Sequence, residues 1–186
     1  MQLIREMAMS AARYVGENFH LLVTKPGACP HCGAQRALEA LGYYSRNITS
    51  SQATVVRICI RRFRCRGCAK TVSILPSFAQ PYRLIQNSTI DRYFSGDSPV
   101  DALWWQPLLK QYWKRFTKRL PELAHLIGSE VSRAPPYFNG VEWWKAIVAA
   151  FGDLESITTK IVGRYHVTLF GYYRCHSPIS PKSRPD

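Results

Sequence analysis

Cys29-Pro30-His31-Cys32-Gly33 and Cys65-Arg66-Gly67-Cys68 each contain a Cys-x-x-Cys pair, and residues 33–64 lie between the two pairs. In each pair a short turn lets both thiolates face one centre, and two such pairs can complete a tetrahedron of sulfurs around Zn²⁺. The spacing therefore predicts a closed structural zinc site whose ligands are Cys29, Cys32, Cys65 and Cys68. Because protein thiolates fill all four positions, we expect no zinc-bound water and no metal catalysis.

Other uses of the two pairs remain open from the sequence alone. A set of disulfides is disfavoured if the chain stays in a reducing cytosol. A thioredoxin-like redox pair should follow a strand and open a helix, which neither pair clearly does, and iron or an iron–sulfur site is the remaining alternative. His31 is interpreted as a solvent-facing spacer, because the pairs already supply four ligands. Gly33 and Gly67 are expected to provide the left-handed backbone of a tight knuckle.

The residues around the pairs predict a zinc ribbon over 26–80. Strands are predicted over 38–48 and 55–64, joined by a polar turn, and a closing strand is predicted over 71–78. A unit of about 50 residues has too small a core to be stable without its metal, so zinc would contribute directly to folding.

The segments outside the ribbon are predicted to be mostly helical. Residues 1–25 predict a lead-in helix and a short strand. Residues 81–131 predict a short helix from Ser88, a second from Ser98 and an amphipathic helix over 107–120, an order compatible with a helix-turn-helix or with a generic three-helix bundle. Residues 132–140 are predicted to be a linker. Residues 141–176 are predicted to form a helix, capped by Asn139, and then a strand that begins at Val162. Residues 177–186 are predicted to be a disordered tail. The predicted fold class is α+β, with an N-terminal zinc-ribbon β-hairpin domain followed by a small helical domain.

The charge of the chain is strongly positive and unevenly spread. Lys and Arg number 25 against 12 Asp and Glu, a formal net charge of +13, and no acidic residue lies between Glu39 and Asp91. Such a surface favours polyanionic partners. We expect two groups of residues to contact DNA: Arg57, Arg61, Arg62, Arg64 and Arg66 on the ribbon, and Lys110, Lys114, Arg115, Lys118 and Arg119 on the amphipathic helix. Most would neutralise phosphates, while Arg115 or Arg119 could reach a guanine edge.

The sequence gives no sign of export or of membrane insertion. It contains no apolar run of about 18 residues, and its start lacks a charged region followed by an apolar block. We therefore expect a cytoplasmic protein without a membrane partner.

Several short motifs follow one another in the order of a known pattern. They are Cys-Pro-x-Cys-Gly, Leu41-Gly42-Tyr43-Tyr44-x-Arg46, Ile60-Arg61-Arg62-Phe63-Arg64-Cys65-x-x-Cys68-x-x-Thr71, Leu75-Pro76-Ser77-Phe78 and Pro81-Tyr82. Over about residues 26–94 the chain resembles the zinc-ribbon domain at the start of insertion-sequence transposases and of small proteins associated with mobile elements. The resemblance implies the same four cysteines as zinc ligands, an arginine-rich strand that faces DNA, and a following helix-turn-helix. Full transposases of this type continue into a ribonuclease-H-like domain with three metal-binding carboxylates, for which the rest of this chain is too short.

The leading hypothesis is a zinc-dependent DNA-binding protein of a transposon or other mobile element, either an accessory protein or a truncated transposase. Phosphate contacts with duplex DNA would supply most of the affinity, and a transposase or recombinase subunit would be the protein partner. The alternative is a zinc-ribbon module that docks on a transposase or polymerase assembly. A third hypothesis is binding of single-stranded nucleic acid or RNA through Tyr43, Tyr44 and Phe63. No catalytic constellation is recognisable, so an enzyme is not predicted, although a cleft of distant carboxylates is invisible in one sequence.

Overall fold

The computed structural model describes residues 1–49, 54–97, 105–131, 135–136, 138–165 and 167–171. The strands of these residues are β1 (Gln2–Arg5), β2 (Leu38–Thr49), β3 (Val55–Cys65) and β4 (Thr71–Pro76). Their α-helices are α1 (Ala11–Gly16), α2 (Asn87–Phe94), α3 (Gln106–Ile127), α4 (Gly140–Phe151) and α5 (Leu154–Tyr165). The protein is therefore of the mixed α+β class, as the sequence predicts.

The four strands form one sheet in the order β1-β4-β3-β2. β1 runs parallel to β4, whereas the β4–β3 and β3–β2 pairs are antiparallel. The long β2–β3 pair has a register shift between Ala40 and Gly42, which leaves Leu41 as a bulge residue. Gly42 has a φ of 123°, a value that favours glycine. The strands predicted over 38–48, 55–64 and 71–78 are confirmed, apart from small differences at their ends.

The amino-terminal residues belong to the sheet, and the predicted lead-in helix is wrong for them. Leu3 and Ile4 lie opposite Ile74 and Leu75 of β4. The apolar spacing of this segment also fits a helix, but the open edge of β4 offers backbone hydrogen bonds that a short helix would not replace. A helix begins only at Ala11, and the short strand expected after it is instead a single 3₁₀ turn over Phe19–Leu21.

The starts of two helices test two predicted caps. α2 follows Gln86 as its N-cap, so the predicted cap at Ser88 is wrong. α4 follows Asn139, whose side chain accepts a hydrogen bond from the backbone N–H of Glu142, as the sequence predicts. The helix predicted from Ser98 begins outside the described residues, so the helix-turn-helix arrangement stays a prediction.

The carboxyl-terminal half contains more helix than the sequence predicts. α3 continues past the predicted end at 120 to Ile127, with Pro121 inside it. The strand predicted from Val162 is wrong over 162–165, because α5 continues to Tyr165. The buried residues Leu154, Ile157 and Ile161 recur at helical spacing and hold this helix against the core. The predicted tail over 177–186 and much of the predicted linker lie outside the described residues.

The buried apolar residues form two clusters. The first joins the sheet and α1 and includes Tyr14, Phe63 and Leu75. The second joins α2, α3, α4 and α5 and includes Trp143 and Trp144. Side-chain hydrogen bonds from Ser77 to Glu155 and from Gln80 to Thr158 connect the two regions. None of the helices in the described ranges is long and apolar enough to cross a membrane.

Candidate metal centre and basic surfaces

The four predicted metal ligands converge at one end of the sheet. Their Sγ atoms all lie within 4.8 Å of one another. The distance is 3.8 Å between Cys29 and Cys68 and 3.7 Å between Cys32 and Cys65, so each of these pairs joins one Cys-x-x-Cys motif to the other. Within the part of the chain that the structure describes, no other group of three or more His, Cys, Asp or Glu residues is close enough to hold a metal ion. The predicted convergence is confirmed, and the cluster could bind a metal ion.

Two loops with the same backbone pattern present the sulfurs. We call residues 29–34 the first knuckle and residues 65–70 the second knuckle. In each knuckle, the residue after the second cysteine donates its N–H to the carbonyl of the first cysteine. The first cysteine in turn donates its N–H to the carbonyl of the last residue of the knuckle. The four bonds are Gly33 to Cys29 at 2.8 Å, Ala69 to Cys65 at 2.9 Å, Cys29 to Ala34 at 3.0 Å and Cys65 to Lys70 at 3.0 Å. The knuckles therefore hold their cysteine pairs in equivalent positions.

The left-handed residue of each knuckle is the one that follows the second cysteine. Its φ is 73° at Gly33 and 58° at Ala69. The expectation that Gly67 takes this conformation is wrong, because Gly67 lies one position too early and has no positive φ. A Cβ on Gly67 would instead lie 3.7 Å from the Cys65 sulfur, in ordinary contact.

The surroundings of the thiols set how readily each loses its proton. Burial raises the pKa of Cys29, although the backbone N–H of His31 donates to its sulfur at 3.4 Å. The backbone N–H of Cys68 outweighs desolvation and lowers the pKa of Cys65 to about 7. At Cys32 the N–H of Ala34 lowers the pKa, but desolvation and the other thiols raise it to about 12. Binding of a metal ion would release the protons that these thiols carry, because the thiolate is the form that ligates a metal.

The arginines predicted on the ribbon do not form one surface. Alternate residues of a strand point to opposite faces, so Arg57 and Arg61 lie on one face of β3 while Arg62 and Arg64 lie on the other. Arg57 and Arg64 are exposed, whereas Arg61 and Arg62 are half-buried. The strand therefore presents positive charge on both faces.

Aromatic rings support the two half-buried arginines. The Arg61 guanidinium lies 4.5 Å from the centre of the Tyr43 ring and 5.5 Å from that of Phe63. The Arg62 guanidinium lies 5.7 Å from the centre of the Tyr44 ring. Such stacking keeps the side chains extended and their charges near the surface.

Arg66 differs from the other predicted arginines because it has an acidic partner. Its Nε lies 2.8 Å from a carboxylate oxygen of Glu39, and both side chains are exposed. An exposed pair of this type contributes little to stability, but it reduces the charge that Arg66 offers to a phosphate.

The basic group on α3 is only partly at the surface. Lys110, Lys114 and Lys118 are exposed and recur every four residues, so they form a row along one side of the helix. Arg115 is half-buried. Arg119 is only 2% exposed, and it donates to the carbonyls of Thr168 and Gly171. Arg119 is therefore a core residue, and its predicted role at a guanine edge is wrong.

Two arginines that were not predicted to contact DNA, the half-buried Arg46 and the buried Arg83, are bonded to backbone carbonyls. Arg46 of β2 donates to the carbonyl of Gln80 at 2.5 Å, and Arg83 donates to the carbonyl of Phe170 at the same distance. Arg46 shares a strand face with the buried residue Ile48. That alternation was a usable signal, because it places a cation on the inner face of β2.

Carboxylates also meet where α5 begins. Glu6, Asp153 and Glu155 line a cavity of about 380 Å³ beside Ser156 and Lys160. Desolvation raises the pKa of Glu155, and the hydrogen bond from Ser77 opposes this rise. The three acids are not close enough to be counted as a metal site in the described chain.

The fold and the site define an α+β protein with a four-cysteine cluster that could bind a metal ion. Residues 29–104 match the family DUF6431, which is described as a domain of unknown function. The matched range contains both knuckles, the strands β2 to β4 and helix α2. Comparison with curated proteins and with solved structures gives no significant match.

Proposed function

We propose that the four-cysteine cluster is a structural zinc site. A tetrahedral zinc ion with Zn–S bonds of about 2.3 Å separates its sulfurs by about 3.8 Å. The Sγ–Sγ distances of 3.7 and 3.8 Å between cysteines of the two knuckles agree with this separation. Four thiolates leave no position for water, so the metal would fix the ends of β2 and β3 rather than supply chemistry.

We further propose that the protein binds duplex DNA through the β2–β3 pair and α3. The observation that carries the proposal is the charge of the β2–β3 pair: apart from Arg46 on the inner face of β2, it contains four arginines and one acid, Glu39, which pairs with Arg66. The major groove of B-DNA admits a two-stranded β-ribbon, and phosphates flank it on both sides. A pair of strands with arginines on both faces could contact the phosphates on both sides of the groove, whereas a protein surface with arginines on one face could not.

The lysine row of α3 adds a second basic surface. Lys110, Lys114 and Lys118 span eight residues of helix, or about 12 Å, and none of them forms an ion pair with a described residue. Lysine binds phosphate as a point charge and carries no information about the base sequence. The row would therefore increase affinity for any duplex.

Duplex DNA is favoured over single strands because of the aromatic residues. Binding of single strands relies on rings that stack with bases. Here Phe63 is buried, and arginines cover one face of Tyr43 and of Tyr44. These rings hold guanidinium groups in place, which leaves less aromatic surface for bases.

Association with a mobile element remains part of the proposal. It rests on the motifs over about residues 26–94 that resemble the zinc-ribbon domain of insertion-sequence transposases. A reading frame for a transposase or recombinase beside the gene would support it.

A second candidate function is docking on a protein assembly, which three exposed leucines favour. Leu21 and Leu22 are 60% and 66% exposed, and Leu41 is 45% exposed. The His20 ring lies 5.3 Å from that of Tyr43, so these residues adjoin the β2–β3 pair. A complex that survives high salt would support docking, because apolar burial is insensitive to screening.

The test of DNA binding is the salt dependence of affinity for a duplex oligonucleotide, measured by fluorescence anisotropy. Four or more phosphate contacts predict a slope of log affinity against log salt of about −4 or steeper. The variant Arg57→Gln/Arg64→Gln should lower the magnitude of the slope by about 2. The matched control is Arg92→Gln/Lys145→Gln, which removes two exposed charges from α2 and α4. Binding that is absent, or independent of salt, would refute the proposal.

A further inference from the structure

Three arginines lie near the side chain of Tyr112 where the sheet meets the helices. Arg46 comes from β2, Arg83 from the segment between β4 and α2, and Arg115 from α3, one turn after Tyr112. The Arg83 guanidinium lies 5.5 Å from the centre of the Tyr112 ring. Burial raises the pKa of Tyr112, while the N–H of Leu84 and the three arginines lower it. We call these four residues the junction cluster.

Two of the three arginines in the junction cluster, Arg46 and Arg115, have no acidic partner among the described residues, because no carboxylate of these residues lies within ion-pair distance of them. The Nη1 atom of Arg46 is buried without a hydrogen-bond partner among the described residues. Burial lowers the pKa of Arg46, Tyr44 and Tyr112 oppose this change, and the like charge of Arg83 adds to it. A largely buried cation without an anion is costly, so the arrangement indicates a site prepared for a ligand of opposite charge.

The chemistry and position of the cluster favour one type of anion. Guanidinium groups match the oxygens of phosphate, and three of them balance a doubly charged group better than a single carboxylate would. Arg115 stands directly after Lys114 and three residues before Lys118, so the cluster borders the lysine row. Tyr82 and Leu84 are exposed beside it, and Tyr82 has a φ of 58°, a conformation that is strained for tyrosine.

We propose that Arg46, Arg83 and Arg115, with the hydroxyl of Tyr112, form a binding site for a phosphate group. Arg83 is held by the carbonyls of Tyr82 and Phe170, so its position is fixed before the ligand arrives. Arg115 makes no hydrogen bond or ion pair with a described residue and is free to close on the ligand. The site goes beyond the proposed function, because the phosphate can belong to a nucleic-acid backbone or to a small phosphorylated molecule.

The test uses the full zinc-loaded chain and inorganic phosphate as the probe. Thermal unfolding is followed while phosphate replaces chloride at constant ionic strength and pH. The expected result is a saturable rise in Tm. Arg115→Gln should weaken the apparent phosphate affinity by about tenfold or more, because it removes a charged hydrogen-bond donor from the ligand. Arg92→Gln, which removes an exposed arginine from α2, should leave the affinity unchanged.

A second variant separates ligand binding from folding. Arg46→Gln keeps a donor for the carbonyl of Gln80 but removes the buried charge. Its Tm without phosphate should equal or exceed that of the wild type, while its stabilisation by phosphate should be lost. The proposal is overturned if phosphate has no effect beyond that of chloride, or if both variants respond to phosphate as the wild type does.

Binding experiments with duplex DNA identify which molecule carries the phosphate group. If Arg115→Gln weakens DNA binding more than Arg92→Gln does, and inorganic phosphate competes with DNA, the ligand is the nucleic-acid backbone. If phosphate stabilises the chain but duplex DNA does not bind, the DNA proposal fails and the site serves a small phosphorylated molecule. If DNA binds with the expected salt slope but phosphate has no effect, the DNA proposal stands and the junction site is refuted.

Discussion

Gly33 and Ala69 occupy the same position in the two knuckles. Each follows the second cysteine of its pair, has a positive φ, and donates its N–H to the carbonyl of the first cysteine. A left-handed conformation costs an alanine about 1–2 kcal/mol, whereas glycine adopts it readily. The second knuckle therefore contains a strained residue where the first contains a relaxed one.

The variant Ala69→Gly should stabilise the protein. Relief of the left-handed strain exceeds the added freedom of glycine in the unfolded chain, which leaves a net gain of about 0.5–1 kcal/mol. Urea denaturation of the zinc-loaded protein measures the change. Ala40→Gly, at an exposed position of β2 without a positive φ, is the control and should destabilise by a similar amount. A loss of stability with Ala69→Gly would contradict this account of the knuckle.

Protein purified without chelator should contain one zinc ion per chain. Cys29→Ser should lose the metal and, with it, the fold of the first hydrophobic cluster, as near-ultraviolet circular dichroism would report. His31→Ala should retain the metal, because the group of close metal-binding side chains consists of the four cysteines and the backbone N–H of His31, which donates to Cys29, is kept in the variant. Clearly less than one zinc per wild-type chain would contradict the metal assignment, and loss of metal from His31→Ala would contradict the four-cysteine ligand set.

The lysine row should contribute to DNA affinity without contributing to base preference. Lys114→Gln/Lys118→Gln should lower the magnitude of the salt slope by about 2, equally for several unrelated duplexes. Anisotropy titrations between low and moderate salt measure this slope. The control Arg92→Gln/Lys145→Gln should leave it unchanged, and an equal change in both double variants would show that only net charge matters.

Neighbouring basic residues of α3 should respond in opposite ways to substitution. Arg119→Ala removes a charged donor from the carbonyls of Thr168 and Gly171, so it should destabilise by about 2 kcal/mol or more. Lys118→Ala removes an exposed side chain and should change the stability by less than about 0.5 kcal/mol. Chemical denaturation of both variants gives the comparison. Similar stabilities would show that Arg119 is not the buried anchor that its contacts indicate.

Tyr14 should make stability fall at high pH. Burial, with a smaller contribution from Cys59, raises its pKa from 10.0 to about 12, and its hydroxyl donates to the Cys59 carbonyl at 3.0 Å. Because the unfolded chain loses this proton first, the contribution of Tyr14 is complete below pH 10 and is lost between pH 10 and 12. Denaturation of the wild type and of Tyr14→Phe across this range isolates the effect. Parallel pH profiles would rule it out.

Local sequence signals predicted the four-cysteine cluster and three of the four strands of the described residues. The spacing of Cys29, Cys32, Cys65 and Cys68 and the alternation of β2 and β3 depend on neighbours along the chain. β1 was missed because its partner β4 is about 70 residues away along the chain. A short apolar segment carries no local signal that it pairs with a distant parallel strand. α5 was missed in part because aromatic and polar residues alternate from Val162 onward, a pattern that indicates a strand, although Leu154, Ile157 and Ile161 recur at helical spacing.

Composition predicted that the surface is basic but not where each charge points. The arginines of β3 alternate between its faces, so their number says little about the surface they share. Arg119 lies between Phe116 and Leu123 on the apolar stripe of α3, and helical spacing alone places it inward. The junction cluster joins residues from three elements, and only their packing brings those residues together.

The bulge at Leu41 reverses which face of the sheet the alternate side chains of β2 point to. Leu38 lies opposite Cys65 and Ile48 lies opposite Val56, so the two ends of one strand bury side chains on opposite faces of the sheet. Deletion of the single extra residue would turn either the metal-binding end or the Arg46 end to the wrong side. Within this hairpin, an insertion or deletion of two residues would therefore keep each side chain on its face of the sheet. A change of one residue would move the side chains at one end of the strand to the opposite face.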